Sequence, residues 1–368
     1  MTRPYRVGVI GSTGRGGYGH RLDDCWLAEP RTEIVAVADD NKAGLAHATK
    51  RLGVDRGYTD YRKMIEETNP DIVAICPRWV DQHRDMALAA AERGIHIYME
   101  KPFCPSLDQA DEIVAACQQT HAKLAIAHPT RYSPKIATIK KLIADGAIGE
   151  VLEYRGRGKE DHRGGGEDLW VLGTHVMDMI RAIGGHPQWC FAIVSEEGDP
   201  VTAKNVVDGN EGLGPLAGDA IQAMYGMPDG STAYFATHRK AGGNPSRYGL
   251  QIVGSKGILE LLEGPLPPVK YLGDPSWSPG RSGAEWQNVS SAGIGEEEPL
   301  TDPLYRSRHG LAIRDLLAAI EEEREPIGGM EEARGATEMI VAVFESQRRG
   351  RPVDLPLKNR KHPLSMLG

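Results

Sequence analysis

Residues Tyr5–His20 read YRVGVIGSTGRGGYGH, an apolar run, Tyr5–Ile10, that passes directly into a glycine-rich loop. The run has the length and composition of a buried strand. A strict G-x-G-x-x-G match falls on Gly14, Gly16 and Gly19, three residues past the strand. A relaxed match on Gly11, Thr13 and Gly16 lies at the strand end itself, with Thr13 in place of the middle glycine. Glycines in this setting let the backbone turn tightly and approach a pyrophosphate, which then lies at a helix N-terminus. A phosphate loop of the nucleoside-triphosphate type would need Lys-Ser or Lys-Thr after its last glycine, and Gly17 follows Gly16. A ligand-free glycine turn is the plain alternative. What argues against it is Asp39, about 20 residues on, closing a second apolar run, Glu33–Ala38.

An acid in that place takes the adenosine ribose hydroxyls of a dinucleotide. Asp40 and Asn41 follow Asp39, with no arginine beside it to hold a 2′-phosphate, so NAD is favoured over NADP. The loop residues Gly11, Ser12, Thr13, Gly14, Arg15 and Gly16, with Asp39, are the candidate cofactor cradle.

Outward from this unit the same rhythm repeats. A helical stretch is expected over His20–Leu27, and another over Lys42–Leu52, with Asn41 as N-cap and Gly53 as its stop. Asp71–Cys76, Ile95–Glu100 and Lys123–Ala127 read as strands. Between them, Asp81 is placed to cap a helix running to Arg93, and Ser106 with Gln109 fits a capping box for a helix to Thr120. Short apolar strands alternating with helices predict a doubly wound parallel α/β sheet, whose ligands bind at the carboxyl ends of its strands. After residue 130 the pattern changes to a helix from Ser133-Pro134 to Gly146, extended Glu150–Arg157, helical Gly173–Ile183 and extended Gln188–Val194. Two hairpins turn at Pro228-Asp229-Gly230 and at Gly254-Ser255-Lys256-Gly257. This second part is expected to be α+β with antiparallel strands. Glu263–Tyr305, rich in Pro, Gly and Ser, shows no period, and two helices, His309–Arg324 and Met330–Arg349, precede an extended Pro352–Leu357. The expected division is residues 1–128 and 129–368.

Composition narrows the function. The 368 residues carry 43 Lys plus Arg against 51 Asp plus Glu, a net charge of −8 without a long basic block, which argues against a nucleic-acid partner. No apolar run approaches the roughly 18–20 residues of a membrane helix, and the first strand begins too early for a signal peptide to precede it. Five cysteines without C-x-x-C spacing fit neither a disulfide framework nor a cysteine-rich zinc site. No H-E-x-x-H or comparable spacing occurs, so no metal is expected. A soluble protein of a reducing compartment, the cytoplasm, is the expectation.

The strand Ile95–Glu100 runs into Glu100-Lys101-Pro102, which puts a lysine at the carboxyl end of a parallel strand, stiffened by the proline. With this motif the sequence resembles the glucose–fructose oxidoreductase/inositol dehydrogenase family of NAD(P)-dependent enzymes. The likeness also takes in Gly19-His20, Asp39, Cys76-Pro77-Arg78 with His83, Gly94-Ile95-His96 and Arg131-Tyr132-Ser133-Pro134. It continues through Gly173-Thr174-His175 with Asp178, the hairpin at Gly254–Gly257, and Gly350-Arg351-Pro352-Val353-Asp354-Leu355-Pro356. The resemblance implies an NAD-binding Rossmann domain at 1–128. It also implies a substrate-binding and oligomerisation domain at 129–368, built on a large, mostly antiparallel sheet. A homo-oligomer, dimer or tetramer, is implied with it.

By the same resemblance Lys101 and His175 are the catalytic pair, Pro77, His83 and Glu100 lie near the cofactor, and Arg131 lies near nicotinamide and substrate. The chemistry is reasonable in itself. Oxidising an alcohol requires loss of the hydroxyl proton as the hydride leaves, and a positioned base helps by roughly 10²–10⁴-fold. A lysine near a cationic nicotinamide has its ammonium form disfavoured, and histidine titrates in a useful range. Asp178 could orient His175 or only pack. The family carries an Asp four residues before this histidine, where this chain has Val171. Asp168 is the candidate substitute, and Trp170 a candidate wall for a sugar ring. Lys159, Asp161, His162 and Arg163 could recognise a polyol or an acid, or form a solvated loop; His162 is counted among the substrate contacts. The expected activity is hydride transfer from a secondary alcohol of a sugar, sugar derivative or cyclitol to NAD. A glycoside-cleaving enzyme of the same fold, working by transient oxidation and elimination, is the alternative from another class. A dinucleotide-sensing regulator without turnover is the third.

Overall fold

The computed structural model describes residues 3–367. The chain forms two compact units. The first runs to Ala127 and takes in Gly209–Gly214 and His309–Thr337, and the second holds His128–Asp208, Pro215–Arg308 and the chain from Glu338 on.

In the first unit, β1 (Tyr5–Ile10), β2 (Thr32–Ala38), β3 (Gly57–Tyr58), β4 (Ile72–Ile75), β5 (His96–Met99) and β6 (Leu124–Ile126) form one sheet in the order β3-β2-β1-β4-β5-β6. All its pairings are parallel. The strand order reverses between β1 and β4, and that switch point opens a crevice at the strands' carboxyl ends. The helices α1 (Lys42–Leu52), α2 (Tyr61–Thr68), α3 (His83–Ala91) and α4 (Leu107–Thr120) cover the sheet. Buried strand residues such as Ile75, Ile97 and Met99 pack with Met86 and Ile113 from these helices, and with Met330 and Ala333 from far along the chain.

Local chemistry explains most of these boundaries. Asn41 caps α1 by accepting the Gly44 N–H, and left-handed Gly53 ends it. Three expectations are corrected. No α-helix follows the glycine loop over His20–Leu27; turns lead into a single short 3₁₀ segment, Cys25–Ala28. Gly14, Gly16, Gly17, Gly19 and Arg21 all have positive φ, which a right-handed helix cannot accommodate. Asp23, buried against Arg51, and Trp26, in the core, then fix the turns. Asp81 does not cap α3: the cap position is Gln82, and the Asp81 carboxylate pairs with Arg15. Ser106 precedes α4 without a capping box, because its hydroxyl bonds to Asp108, and Asp108 accepts the Gln109 N–H at 2.9 Å.

The second unit is built on a ten-stranded sheet. Its path runs Gln287–Asn288, Val269–Leu272, Gly257–Leu261, Gly249–Gly254, Val151–Arg157, Thr232–His238, Ala220–Gly226, Trp189–Glu196, Val353–Asp354, with Asp199–Pro200 paired to Trp189–Glu196. The pairing of Val151–Arg157 with Thr232–His238 is parallel and the others are antiparallel. Both predicted hairpins form, with Gly226 opposite Thr232 and Gly254 opposite Gly257. The aperiodic stretch Glu263–Tyr305 contributes two of the strands. Its Asp274 carboxylate gathers Ser276, Ser278 and Ser282, and Trp277 Nε1 donates to the Gly254 carbonyl at 2.8 Å.

A helix absent from the expectations, Gly166–Val171, precedes helix Gly173–Gly184. Its glycine run hid it. A Cβ on Gly165 would lie 2.2 Å from the Gly218 carbonyl, and one on Gly166 2.5 Å from that of Ala217, so the glycines answer to close backbone approach.

Candidate active site

The first unit gathers the glycine loop and the ends of β1, β2, β4 and β5. Ser12 and Gly17 exchange backbone hydrogen bonds of 3.1 and 2.9 Å, which folds Thr13–Gly16 into a tight loop. The loop lies close against its neighbours. A Cβ on Gly16 would be 2.5 Å from the Arg78 nitrogen, and one on Gly19 2.6 Å from the Cys76 carbonyl. Asp39, 1% exposed, braces it from the end of β2. Its carboxylate accepts from Thr13 N–H (3.2 Å), Thr13 Oγ1 (2.7 Å), Tyr18 Oη (2.9 Å) and Asn41 N–H (3.0 Å). Burial, and then the charge of Asp39, push the Tyr18 phenol up, so it remains a donor. Arg15 lies 5.0 Å over the Trp79 ring. A cleft lined by Gly11, Ser12, Asp39, Asp40, Tyr61 and Met86 opens at the ends of β1 and β2.

The end of β5 is fixed by buried groups. Glu100 Oε1 accepts the His20 N–H at 3.0 Å and lies 2.6 Å from His20 Nδ1, while Oε2 accepts the Lys101 N–H at 2.9 Å. Burial alone would raise the Glu100 pKa; the hydrogen bond from His20 and the Lys101 charge outweigh it and hold the carboxyl far below its usual range. Lys101 is 3% exposed. The His83 ring lies between the carbonyls of Pro77, 2.7 Å from Nε2, and Pro102, 2.9 Å from Nδ1. Burial lowers its pKa against the pull of those carbonyls, and the ring lies where it links the ends of β4 and β5. His309 completes the brace: its Nε2 donates to the His20 carbonyl at 2.9 Å, and its Nδ1 accepts from Tyr98 Oη at 2.9 Å.

These residues fit NAD. Gly14 and Gly17 have open space where a Cβ would stand, and the acid and cleft lie at the ends of β1 and β2, beside the switch point. The departure is electrostatic. No α-helix follows the loop, so no helix dipole lies behind it, and Arg15 is paired with Asp81.

The second unit holds a separate polar cluster around helix Gly173–Gly184. His175, 3% exposed, meets the His128 ring edge-to-face at 5.3 Å. His128 Nε2 is 3.1 Å from Thr174 Oγ1, and its Nδ1 is 3.4 Å from Asp178 Oδ1. Arg131 Nε donates to the same Asp178 oxygen at 2.7 Å. Burial would raise the Asp178 pKa, but Arg131 and His128 outweigh it and hold the carboxyl at about 2. Asp178 therefore serves Arg131 and His128. Glu263 Oε1 lies 3.9 Å from His175 Nδ1 and accepts from Arg308 Nη2 at 2.9 Å.

The cluster brings together Arg131 and His175 from the predicted residues and adds His128, Glu263 and Arg308. Asp168 and Trp170 have other surroundings. Asp168 is fully buried and accepts from Lys159 N–H (3.3 Å), Glu160 N–H (3.1 Å) and the Thr237 hydroxyl, so its carboxylate is a staple for local backbone. Trp170 is 0% exposed and stacks on His362 at 6.2 Å, which leaves no face for a sugar ring. His162 lies in an exposed turn, 3.8 Å from Asp161. Lys101 belongs to the first unit and His175 to the second. Among the described residues no group of three or more His, Cys, Asp or Glu is arranged to hold a metal ion, and no helix is long and apolar enough to cross a membrane.

Comparison with known proteins agrees with the two-part architecture. Residues 5–128 match the model of an oxidoreductase family with an NAD-binding Rossmann fold, and residues 140–355 match the C-terminal alpha/beta domain of the same family. Levoglucosan dehydrogenase of Pseudarthrobacter phenanthrenivorans is 27% identical over 284 residues, 69% of this chain and 72% of that protein. Myo-inositol 2-dehydrogenase of Thermotoga maritima is 28% identical over 242 residues, covering 60% and 70%. A solved levoglucosan dehydrogenase in complex with NADH and levoglucosan superposes with a TM-score of 0.75 at 22% identity, over 96% of this chain and 100% of that one. The glycine loop, the acid closing β2, the lysine closing β5 and both family matches lead to one conclusion: the chain belongs to the glucose–fructose oxidoreductase/inositol dehydrogenase family of NAD-dependent oxidoreductases.

Proposed function

We propose that the protein oxidises a secondary alcohol of a sugar, sugar derivative or cyclitol, with residues 1–128 holding NAD and residues 129–368 holding the substrate. The observation that carries this reading is Lys101, buried directly after β5 and flanked by Glu100, in the unit that contains the dinucleotide cradle. The relatives named for levoglucosan and myo-inositol support the substrate class. Bound NAD supplies the hydride acceptor. Gly11–Gly16 and Asp39 hold its phosphates and adenosine ribose, with Pro77, His83 and Glu100 shaping the crevice nearby. Lys101, in its neutral form, takes the hydroxyl proton as the carbon–hydrogen bond breaks, and His175 shares the proton handling. Arg131, held by Asp178, orients substrate. The reading includes a homo-oligomer and a cytoplasmic setting, the latter supported by five free cysteines, four of them buried.

The absence of a carboxylate at Val171 keeps open a second reading, a glycoside-cleaving enzyme that retains NAD. There, hydride transfer to NAD would give a ketone that acidifies the neighbouring C–H, and elimination would release the glycosidic substituent as an alcohol. Water would add to the resulting enone, and return of the hydride would restore the alcohol, so that no net NADH accumulates. One assay separates the two: purified protein is offered a panel of sugars, cyclitols and glycosides while NADH absorbance and product identity are followed together. NADH growth supports the first reading, and aglycone release without NADH the second. Binding without turnover would sink both in favour of a dinucleotide sensor.

A further inference from the structure

Three carboxylates of the second unit are candidates to serve His175, and their surroundings separate them. Asp178 is on the same helix, but its Oδ1 is engaged by Arg131 at 2.7 Å and lies 3.4 Å from His128 Nδ1. Asp168 is enclosed by Lys159, Glu160 and Thr237. Glu263, from a part of the chain with no sequence period, is the one whose oxygen approaches the ring, 3.9 Å from Nδ1. Arg308 grips Glu263 as a fork, with Nη2 2.9 Å from Oε1 and Nη1 3.4 Å from Oε2. A forked guanidinium fixes the plane of a carboxylate, so Glu263 is aimed rather than free to swing.

We infer that Glu263 is the positioning residue of His175: its carboxylate, oriented by Arg308, acts on the ring by charge across 3.9 Å rather than through a hydrogen bond, and so favours Nδ1–H on its own side, with Nε2 as the atom that exchanges the proton. This rests on the proposed role of His175 in proton handling. The physical argument is general. A carboxylate beside an imidazole selects one tautomer and favours the charged ring. Arg308, whose closer contact at 2.9 Å is to the same Oε1 that faces the ring, tempers that effect by spreading the carboxylate charge. The titratable and charged groups of the second unit around the ring and its two neighbours include His128, Asp178, Arg131, Glu263, Arg308 and Tyr248, whose hydroxyl donates to the Leu172 carbonyl at 3.0 Å. Of these, Glu263 is the anion nearest Nδ1, and Arg308 is the cation that engages it.

The test reads the ring directly and needs no substrate. The full chain, labelled with ¹⁵N- and ¹³C-histidine, is titrated by NMR as wild type, Glu263→Gln and Arg308→Gln, with the His175 signals assigned by loss in His175→Ala. In Glu263→Gln the His175 titration should move down by about one unit, with a change in tautomer. In Arg308→Gln, which unmasks the carboxylate, it should move up. General loosening of the fold would shift both variants the same way, so opposite signs support the inference. Shifts of the same sign, or a Glu263→Gln titration within about 0.3 unit of wild type, overturn it. Should Glu263→Gln not fold, Glu263→Asp replaces it, and the sign in Arg308→Gln alone still decides. The proposed activity fails separately: opposite NMR shifts without turnover on the substrate panel would leave the pair intact and remove the dehydrogenase reading.

Discussion

Lys101 takes its position from β5, which ends at Met99 two residues before it, and Glu100 fixes its backbone from the preceding residue. Lys101→Met keeps much of the aliphatic stem and removes the amine. Turnover on the identified substrate should fall about 10²–10⁴-fold while NAD affinity changes much less. Folded Lys101→Met protein that turns over within a factor of about three of wild type would refute the role. Asp178 makes a contrasting case, because its contribution is to stability. Its pKa is lowered in the fold, so that contribution is complete above the unfolded value of 3.8 and is lost as pH falls through about 2. Asp178→Asn should therefore cost about 2 kcal/mol at pH 7 and visibly less at pH 3, read from denaturant midpoints. A gap that stays constant or widens in acid would count against this account. Lys101 and Asp39 were legible in the sequence because each closes a strand, where position along the chain dictates position in the sheet. Glu263 and His309 were not: each owes its place to a contact with a distant segment, and nothing in its immediate neighbours encodes that.

At the level of elements, the loop after β1 departs most from expectation. Four glycines with positive φ forgo the helix, and hydrogen bonds to Asp39 and Glu100 and from His309 hold the turns instead. If these bonds order the loop for NAD, His309→Ala should speed amide exchange across residues 12–20 and weaken NAD binding about tenfold, roughly the loss of one buried hydrogen bond. Exchange mass spectrometry and calorimetry check the two together; unchanged exchange would show that the loop holds itself. The other elements were legible where a periodic run met a strong stop signal, as Asn41 and Gly53 do for α1. They were hidden where glycine served packing, as at Gly164–Gly166, or where short strands such as Val269–Leu272 depended on the sheet edge that receives them.

Across the whole molecule, the sheet of the second unit presents an outward row in which Phe191 faces Met224, Met224 faces Tyr234 and Tyr234 faces Arg155. Ile193 on the same face is 48% exposed and Tyr234 38%. A broad face with this apolar content is usually covered by a partner. If a second copy covers it, Ile193→Lys should shift the sedimenting species toward monomer without changing the secondary structure. A wild-type monomer at micromolar concentration would argue against assembly through this face. The first unit has its own long-range dependence. It closes only with His309–Thr337, which brings His309 to His20 and Met330 and Ala333 into the core. On the ribosome, then, the cofactor unit is begun before the second unit and completed only after much of the second has emerged. Its sheet can pair as soon as β6 emerges, but the surface meant for Met330 stays bare until some two hundred further residues have been translated. During that interval the nascent chain is a client for chaperones, and NAD has only a half-braced loop to meet.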